Sequence, residues 1–390
     1  MARAGSTFKM LGWGAAIASG VMLSACGKPP AGEPLKVVKT IGEPGDAVGQ
    51  FGYPRATCSD GKTLWVIDKL ARVQRFDKDG NVLGVWRMPQ YEKGKPCGIS
   101  AWVPKGAGAT DQNEVGPILF IADTHQQRMR IYQTNWTTAG ASGSDARQPS
   151  EQTEPELLLS FGSYGTGPGE FIYVTDVAIV PSADGQAVER LYVSEYGGND
   201  RVNIFDITPP LRVGMKPGEF AVKHVGAFGK FGESFGEPVE FQRPQAVMFD
   251  AERKMLVISD ACNHRIGTFT MEGKLINWFG SREGVGSKPG EFSYPYGVAL
   301  LGDGSAMVSE FGNNRVQRID LTTGACLGIF GQAGRAPGQL STPWALTLWD
   351  DRVYVVDSGN SRVQVIEKPR GMRVLRELAS NEKPANGGAR

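Results

Sequence analysis

One short segment recurs six times along the 390-residue chain, and this repeat limits the possible folds more than any other feature. In each copy an apolar run ends at an acidic residue, and an arginine four to six positions later begins a second apolar run. The pairs are Asp68 and Arg72, Asp123 and Arg128, Glu195 and Arg201, Asp260 and Arg265, Glu310 and Arg315, and Asp357 and Arg362. Successive arginines are 47 to 73 residues apart. Because four short strands in about 40–50 residues are typical of a propeller blade, the sequence predicts an all-β fold, a six-bladed β-propeller.

Four strands can be assigned to each copy. The acidic residue follows a run such as Leu191-Tyr192-Val193, and the arginine opens a run such as Val316-Gln317-Arg318-Ile319. Both runs have the period-two alternation of a short strand. A turn leads from there to a strand that ends in Phe-Gly in most copies, and a Gly-rich connection then reaches the next innermost strand, which a proline usually opens.

The last copy is one strand short, since its final apolar run stops near Ile366. The missing strand is found at the other end of the chain, where segment 35–41 stands just before Gly49-Gln50-Phe51. We expect this N-terminal strand to complete the last blade, because an open sheet edge invites aggregation. The predicted propeller therefore covers residues 35–366.

The repeat resembles the NHL repeat family, whose blades read roughly G-x-F-x-x-P-x-G-V-A and then Y-V-x-D-x-x-N-x-R-V-Q-x-F. The matching residues include Asn313-Asn314-Arg315-Val316-Gln317 in the fifth copy and Ser358-Gly359-Asn360-Ser361-Arg362-Val363-Gln364 in the sixth. The second copy matches worst, with Gln127 where Asn or a small residue is usual. The resemblance covers about residues 35–366 and implies a bacterial six-bladed propeller.

The N-terminus has the pattern of a bacterial lipoprotein signal. A positively charged start precedes an apolar run from Met10 to Leu23, and a box of small residues then ends at Cys26. This pattern is typical of a secretory signal peptide, here residues 1–25. It resembles lipoprotein signals in which the cysteine becomes the acylated first residue. A plain signal or an anchor helix is the alternative, although the run is short for a membrane span. We predict a lipid-anchored protein of the cell envelope, and Gly27, where inner-membrane lipoproteins typically have Asp, favours the outer membrane.

The remaining segments suggest how the particle is oriented. Residues 26–34 form a tether, and residues 367–390 form a flexible C-terminal tail. Four insertions fall in turns on the face opposite the connections between blades, at residues 103–117, 134–155, 181–189 and 207–219. Because the tether reaches the propeller on that face, we expect the face with the insertions to look toward the membrane. The channel mouth would look away from it.

The charge balance argues against nucleic-acid binding, and the repetition of the acid and arginine pairs argues against a catalytic role for them. Lys and Arg total 42 and Asp and Glu total 41, so no global charge pulls the chain onto nucleic acid, and we expect no nucleic-acid partner. A group that recurs in every blade does the same work six times. The acid and arginine pairs are therefore interpreted as structural, tying the second strand to the start of the third.

The three histidines do not suggest a metal site. The resemblance extends to an NHL-type enzyme, the lyase that completes peptide α-amidation, which holds zinc with three histidines that directly follow the opening prolines. The corresponding positions in this chain are Arg55, Cys97, Thr175, Gln245, Tyr296 and Trp344, and none is histidine. His125 and His264 fall in loops of two separated blades and His224 in an outer strand. We predict no metal and no cofactor.

Four cysteines remain after Cys26, an even number in an oxidising compartment, which permits two disulfides. The strand positions argue against them. Cys58 lies about three residues further along its innermost strand than Cys97 does on the neighbouring strand, an offset of about 10 Å. Cys262 and Cys326 lie on opposite faces, whereas bridged Cα atoms stand within about 7 Å. Free thiols are the preferred interpretation.

The residues around the opening prolines are the candidate binding site. They are Tyr53, Arg55, Lys95, Cys97, Tyr173, Thr175, Asp176, Arg243, Gln245, Tyr294, Tyr296 and Trp344. Aromatic faces stack on sugars, and arginine forks hold carboxylates, so this ring suits an anionic or carbohydrate ligand. Packing of the channel wall or an ordinary rim explains the same residues without a ligand. The residues most suited to contact a ligand are Arg55, Tyr173, Arg243, Tyr294, Tyr296 and Trp344.

Two functions remain open at the level of sequence. The first is a non-enzymatic binding or scaffold module, monomeric, which takes an envelope protein or a small ligand at its channel mouth. The second is a lyase or hydrolase of the NHL type with a metal-assisted site. The first is favoured because the rim is rich in binding groups and no catalytic set of residues is evident.

Overall fold

The protein is an all-β propeller of six four-stranded antiparallel sheets, as the repeat predicts. The computed structural model describes residues 36–92, 95–106, 115–135 and 154–369. The predicted signal peptide, Cys26 and the tether lie outside these residues, as does the tail from residue 370 onward. In the described part there is no helix of the length and apolar character that crossing a membrane requires.

Each blade has four consecutive strands from the channel outward, with one exception in the last blade. The strands are Pro54–Ser59, Leu64–Asp68, Arg72–Phe76 and Val82–Arg87 in blade 1; Gly98–Trp102, Val115–Asp123, Arg128–Asn135 and Glu156–Phe161 in blade 2; Tyr173–Pro181, Val188–Tyr196, Arg201–Leu211 and Ala221–Phe228 in blade 3; Pro244–Asp250, Met255–Asp260, Arg265–Thr270 and Leu275–Phe279 in blade 4; Pro295–Leu300, Ser305–Glu310, Arg315–Asp320 and Cys326–Phe330 in blade 5; and Ala345–Trp349, Arg352–Asp357, Arg362–Glu367 and Val37–Ile41 in blade 6. A short parallel pair, Lys230–Phe231 and Glu240–Phe241, lies in the connection before blade 4.

The N-terminal strand closes the ring, which confirms the expected closure. Strand Val37–Ile41 pairs antiparallel with Arg362–Glu367, with Val37 opposite Ile366 and Ile41 opposite Val363. It is the outermost strand of the last sheet. Closure satisfies the edge that the C-terminal strand would otherwise leave open.

The hydrophobic core lies between neighbouring blades, because each sheet presents one apolar face to the blade before it and one to the blade after it. At the closure, Leu64 and Val66 of blade 1 pack with Tyr354, Val356 and Val363 of blade 6 in one buried cluster. The same type of cluster joins blades 5 and 6. The innermost strands are thereby held in a fixed ring around the channel.

The repeated acid and arginine pairs are structural, and five of the six pair as the sequence predicts. In blade 4, Nε of Arg265 donates to Asp260 at 2.8 Å, and both side chains are fully buried. The remaining nitrogens of Arg265 donate to the carbonyls of Glu233, Ser234 and Glu240. The arginine of such a pair therefore binds the segment that leads into its blade, in addition to the acidic residue at the end of the second strand. The repeat alone predicts only the second of these contacts.

Blade 2 departs from the prediction. Asp123 accepts from Nε of Arg130 at 2.8 Å, not from Arg128, whose Nε donates to the Gln126 carbonyl. Adjacent residues of a strand point to opposite faces, so Arg128 and Arg130 share one face, and Arg130 is the buried one. The prediction of Asp123 with Arg128 is wrong because spacing along the chain does not reveal which of two arginines on one face is buried.

The described parts of the four predicted insertions lie between strands one and two and between strands three and four of blades 2 and 3. Residues 107–114 and 136–153 fall outside the described ranges. Strands Val188–Tyr196 and Arg201–Leu211 extend into two of the predicted insertions, at 181–189 and 207–219. Blades 2 and 3 contact each other here, since Gln186 donates to the Lys105 carbonyl at 2.9 Å and Gly214 donates to Oε1 of Gln133 at 3.1 Å.

Candidate functional site

The innermost strands bring the predicted site residues together at one end of the channel, but in two layers. The outer layer holds Tyr53, Tyr173, Arg243 and Tyr294, which all keep some exposure. The inner layer holds the residue directly after the proline, or its equivalent, that opens each innermost strand. Of these residues, Cys97, Thr175, Gln245, Tyr296 and Trp344 are buried. The expectation of one converging ring is therefore corrected, because the two sets stand two residues apart along the chain, on either side of the residue that opens the strand, and so lie at different depths in the channel.

Arg243 is the centre of the outer layer. Its guanidinium carbon lies 4.8 Å from the ring centroid of Tyr196, 5.0 Å from that of Tyr296 and 5.9 Å from that of Trp344. Nε donates to Oε1 of Gln245 at 2.9 Å. Among the described residues no carboxylate forms a salt bridge with this guanidinium. Three aromatic faces thus hold a cation whose two terminal nitrogens have no acceptor in the described chain.

Backbone bonds from the preceding blade fix the outer residues. Tyr53, Arg243 and Tyr294 have φ of 61°, 64° and 49°, the left-handed region that side chains rarely adopt. The N–H of Arg243 donates to Oδ1 of Asp200, and the N–H of Tyr294 donates to Nδ1 of His264 at 3.1 Å. The strained backbone is thereby held in place, and the side chains have a fixed direction.

The inner layer closes the channel beneath Arg243. The Arg55 guanidinium carbon lies 4.8 Å from the Trp344 ring centroid, and its Nη1 is 3.5 Å from Sγ of Cys97. The Tyr296 and Trp344 rings meet edge to face at 4.8 Å. Cys97, Tyr296 and Trp344 belong to one buried cluster that joins blades 2, 5 and 6, and we call the Tyr296 and Trp344 rings beneath Arg243 the plug.

A cavity of about 330 Å³ lies along the axis below the plug. Its lining begins with Arg55, Asp176 and Gln245 near the mouth and reaches Leu300 and Leu348 near the other end. Gln245 is buried, whereas Leu300 and Leu348 keep some exposure. The lining therefore opens toward the face that carries the insertions.

Asp176 is the carboxyl group of this cavity. Its Oδ2 accepts from the Val247 N–H at 3.1 Å, and no salt bridge reaches it from the described residues. Burial raises the pKa of Asp176 to about 7, and the backbone N–H groups of Val177 and Val247 offset only part of that effect. Gly98 allows the close approach, since a Cβ there would lie 2.4 Å from the Thr175 carbonyl oxygen and 2.8 Å from Oδ1 of Asp176.

The charges at the channel mouth favour a negatively charged ligand. Burial lowers the pKa of His125, and the nearby cations Lys95 and Arg55 lower it further. Burial raises the pKa of Tyr296 to about 12 against the opposing effect of Arg243. At neutral pH the histidine is uncharged and the phenol keeps its proton, so the arginines and lysine carry the positive charge.

The histidines are separate from one another. His264 accepts from the Tyr294 backbone, the His125 ring lies 5.8 Å from that of Tyr173, and His224 contacts Asn203 in the outer half of blade 3. Within the described ranges no three His, Cys, Asp or Glu side chains are grouped as metal ligands would be.

The four cysteines of the propeller are unpaired, as the strand positions predict. Cys58, Cys97 and Cys326 are buried and Cys262 is half-buried. Burial raises the pKa of Cys58 well above its ordinary value, and the negative charges of Asp60 and Asp176 raise it further.

Two aromatic residues of the mouth were missed at the sequence level. Tyr196 contacts Arg243, and Phe311 stacks on Tyr296 at 4.8 Å. Both directly follow the acidic residue of their repeat, at Glu195 and Glu310. Because the second strand ends at the mouth, the position after the acid could have identified them.

Comparison with known proteins supports the repeat and the fold. Residues 340–366 match the model of the NHL repeat. The chain is 26% identical over 152 residues to NHL repeat-containing protein 3 of Mus musculus, and 26% identical over 151 residues to that of Homo sapiens. Each alignment covers 38% of this chain and 42% of the relative, so the chain spans less than half the length of the curated relatives it matches. The expected resemblance to NHL repeats is confirmed.

Solved structures are similar in shape at low identity. A structural genomics protein of unknown function from Bacteroides thetaiotaomicron VPI-5482 superposes with a TM-score of 0.56 and 15% identity, covering 86% of this chain and 75% of its own. Streptogramin B lyase gives 0.46 and 12%, covering 82% and 84%, and virginiamycin B lyase from Staphylococcus aureus gives 0.45 and 11%, covering 80% and 94%. The first of these supports the fold, and none at this identity indicates an activity.

Proposed function

We propose that this NHL-repeat six-bladed β-propeller is a non-enzymatic binding module of the bacterial cell envelope. It holds an anionic ligand, a carboxylate-bearing sugar above all, at its channel mouth. The observation that carries the proposal is Arg243, a guanidinium caged by aromatic rings and without a carboxylate partner in the described chain.

The unsatisfied hydrogen-bond donors of Arg243, which lies among the rings of Tyr196, Tyr296 and Trp344, favour binding of an anion. A guanidinium that loses much of its water needs acceptors for its nitrogens, and Gln245 supplies one of them at Nε. The two terminal nitrogens are left for a carboxylate, which a guanidinium fork binds with two parallel hydrogen bonds. The preorganised backbone of Arg243 reduces the entropy that binding would otherwise cost.

The surrounding aromatic residues suit a ring-shaped ligand. Tyr294 is 39% exposed, and Tyr173 is half-buried and lies 5.1 Å from Tyr196 between ring centroids. Exposed aromatic faces beside a cation fit a sugar acid, which offers an apolar ring face and a carboxylate in one molecule.

The lipid anchor belongs to the same proposal. The sequence from Met10 to Cys26 supports it, and these residues lie outside the described part of the propeller. An anchored module would hold its ligand at the membrane surface, with the outer membrane favoured by Gly27.

Binding of glucuronate to the full-length protein tests the mouth, with neutral glucose as the matched probe and isothermal titration calorimetry as the measurement. We expect glucuronate to bind and glucose to bind at least about tenfold more weakly. Arg243→Gln should abolish the difference in affinity between glucuronate and glucose. Arg243→Lys should keep part of that difference, because lysine keeps the positive charge but cannot form two parallel hydrogen bonds to a carboxylate. Arg212→Gln, an exposed arginine in the blade 3 insertion, is the control.

Two results would contradict the proposal. Equal binding of both sugars, or of glucuronate to wild type and Arg243→Gln, would show that the caged guanidinium is not a binding group. Stoichiometric metal in the purified protein, together with turnover of a polysaccharide or a peptide, would favour the lyase or hydrolase hypothesis instead.

A further inference from the structure

The axial cavity contains an arginine and a carboxyl group that do not meet. Arg55 and Asp176 both line it, yet no salt bridge joins them and neither has another charged partner in the described part of the chain. Nη1 of Arg55 faces Sγ of Cys97, and Asp176 lies against Gly98, the next residue along the chain. The two groups are therefore held beside consecutive residues of the chain without forming an ion pair.

The arrangement is unfavourable in an empty cavity. A charged group removed from bulk water is stabilised by an opposite charge or by several hydrogen bonds, and here each group has few. Asp176 accepts from the Val247 N–H, and the Arg55 Nε is buried without an acceptor. Gln245 adds an amide whose Nε2 has no acceptor among the described residues, since its Oε1 takes the Arg243 bond.

The other end of the cavity has a different chemistry. Met248, Phe249, Leu300 and Leu348 line it, all half-buried and apolar. A molecule that enters from this end would meet the apolar residues first and reach the charged groups beneath the plug. The volume of about 330 Å³ is at the small end of the range for ligand sites.

We propose that the axial cavity binds a small zwitterion with an apolar side chain, an apolar amino acid. Its carboxylate is held by Arg55 with the Gln245 amide, its ammonium by Asp176, and its side chain lies among Leu300 and Leu348. This site differs from the one at the mouth, because Arg243 does not line the cavity; Gln245 lines the cavity and also accepts from Arg243.

Leucine and two analogues that each keep one of its charges test the proposal on the full-length protein at pH 8, where the Asp176 carboxyl, with a pKa of about 7, is mostly ionised. The analogue 4-methylpentanoate keeps the carboxylate, and 3-methylbutylamine keeps the ammonium. We expect leucine to bind at millimolar concentration by calorimetry and each analogue to bind at least about tenfold more weakly. Glycine, which lacks the apolar group, should also bind more weakly than leucine.

Matched variants assign the charges. Asp176→Asn keeps an acceptor for the Val247 N–H and should weaken leucine about tenfold or more while leaving 4-methylpentanoate unchanged. Arg55→Gln should weaken both leucine and 4-methylpentanoate. Arg212→Gln, an exposed arginine of blade 3 that does not line the cavity, should leave leucine binding unchanged. Circular dichroism melting of each variant confirms that it is folded before binding is measured.

Three outcomes would overturn the proposal. Equal binding of leucine and 4-methylpentanoate, unaffected in Asp176→Asn, would show a plain anion site. No heat and no thermal stabilisation with any probe at millimolar concentration would show that the cavity holds water alone. Loss of leucine binding in Arg243→Gln with retention in Asp176→Asn would place the ligand at the mouth.

Discussion

The Arg55 guanidinium lies 4.8 Å from the ring centroid of Trp344, although 289 positions separate the two residues in the chain. They come from the first and the last blade, which the N-terminal strand joins into one ring. The plug of the channel therefore forms only when the propeller closes, so the candidate site and the closure depend on each other.

Closure should depend on one buried side chain of the N-terminal strand. Ile41 is 3% exposed in the cluster between blades 6 and 1, so Ile41→Ala should lower the free energy of unfolding by about 2–5 kcal/mol. Val38 lies in the same strand at 44% exposure, and Val38→Ala should change it by less than about 0.5 kcal/mol. Urea unfolding followed by tryptophan fluorescence measures both, and equal effects would contradict the role of burial at the seam.

The buried ion pairs should be costly to break. Arg265→Met leaves the fully buried Asp260 without its partner, and we expect a loss of about 3–5 kcal/mol in unfolding free energy. Lys216 forms a comparable pair with Glu156 at 3.0 Å, but the side chains are 65% and 42% exposed. Lys216→Met should therefore cost less than about 1 kcal/mol. A loss in Arg265→Met as small as in this control, by urea unfolding, would argue against the structural role of the repeated pairs.

Asp176 should make stability depend on pH. Its pKa in the folded protein is about 7, above the unfolded value, so between about pH 4 and pH 7 the folded protein keeps a proton that the unfolded chain has released. The unfolding free energy should therefore fall as pH rises through this window. Asp176→Asn removes this contribution, and we expect it to be more stable than wild type by up to about 4 kcal/mol at pH 8 and nearly equal at pH 4.

Urea unfolding at both pH values measures this difference. Asp260, whose pKa burial also raises to about 7, titrates in both proteins and cancels in the comparison. Cys58, whose pKa burial raises well above its ordinary value, keeps its proton between pH 4 and pH 8 in both proteins. Arg55, which lines the same cavity, is present in both. Parallel pH profiles of wild type and variant would show that the Asp176 carboxyl titrates normally.

The thiols should differ in reactivity. Cys262 is half-buried, whereas Cys58, Cys97 and Cys326 are buried, so in the native protein Cys262 should react first with a disulfide reagent. Cys262→Ser should remove this fast fraction, and all propeller thiols should react in denaturant. Fewer reactive thiols after unfolding without reductant would indicate disulfides, against the unpaired state of the fold.

The proposed lipid anchor predicts that acylation depends on Cys26. Cys26→Ser removes the acylation site, so the protein should lose its lipid and either leave the membrane fraction or keep its uncleaved signal, because the acyl chains on this cysteine would provide the anchor. Labelling with a fatty-acid analogue should mark wild type alone. Labelling of the variant at the level of wild type would contradict a lipoprotein signal.

Much of the architecture can be predicted from the sequence, because each blade corresponds to one copy of a sequence repeat. The period-two apolar runs and the acid and arginine pairs recur six times, and each copy reports the same local geometry. The short last copy and segment 35–41 together predict closure. The failure at Arg128 and Arg130 shows the limit, since spacing places both arginines on one face and only packing selects the buried one.

The repeat alone specifies the number of blades, the strand that closes the ring and most of the residues at the channel mouth. The fold decides how these residues divide into an exposed cage around Arg243, a plug of Trp344 and Tyr296, and a cavity with Asp176, and it adds Tyr196 and Phe311 to them. The physical reason is that these side chains come from different blades and meet across an axis. Their contacts depend on the tilt and close approach of whole sheets, which no local pattern specifies.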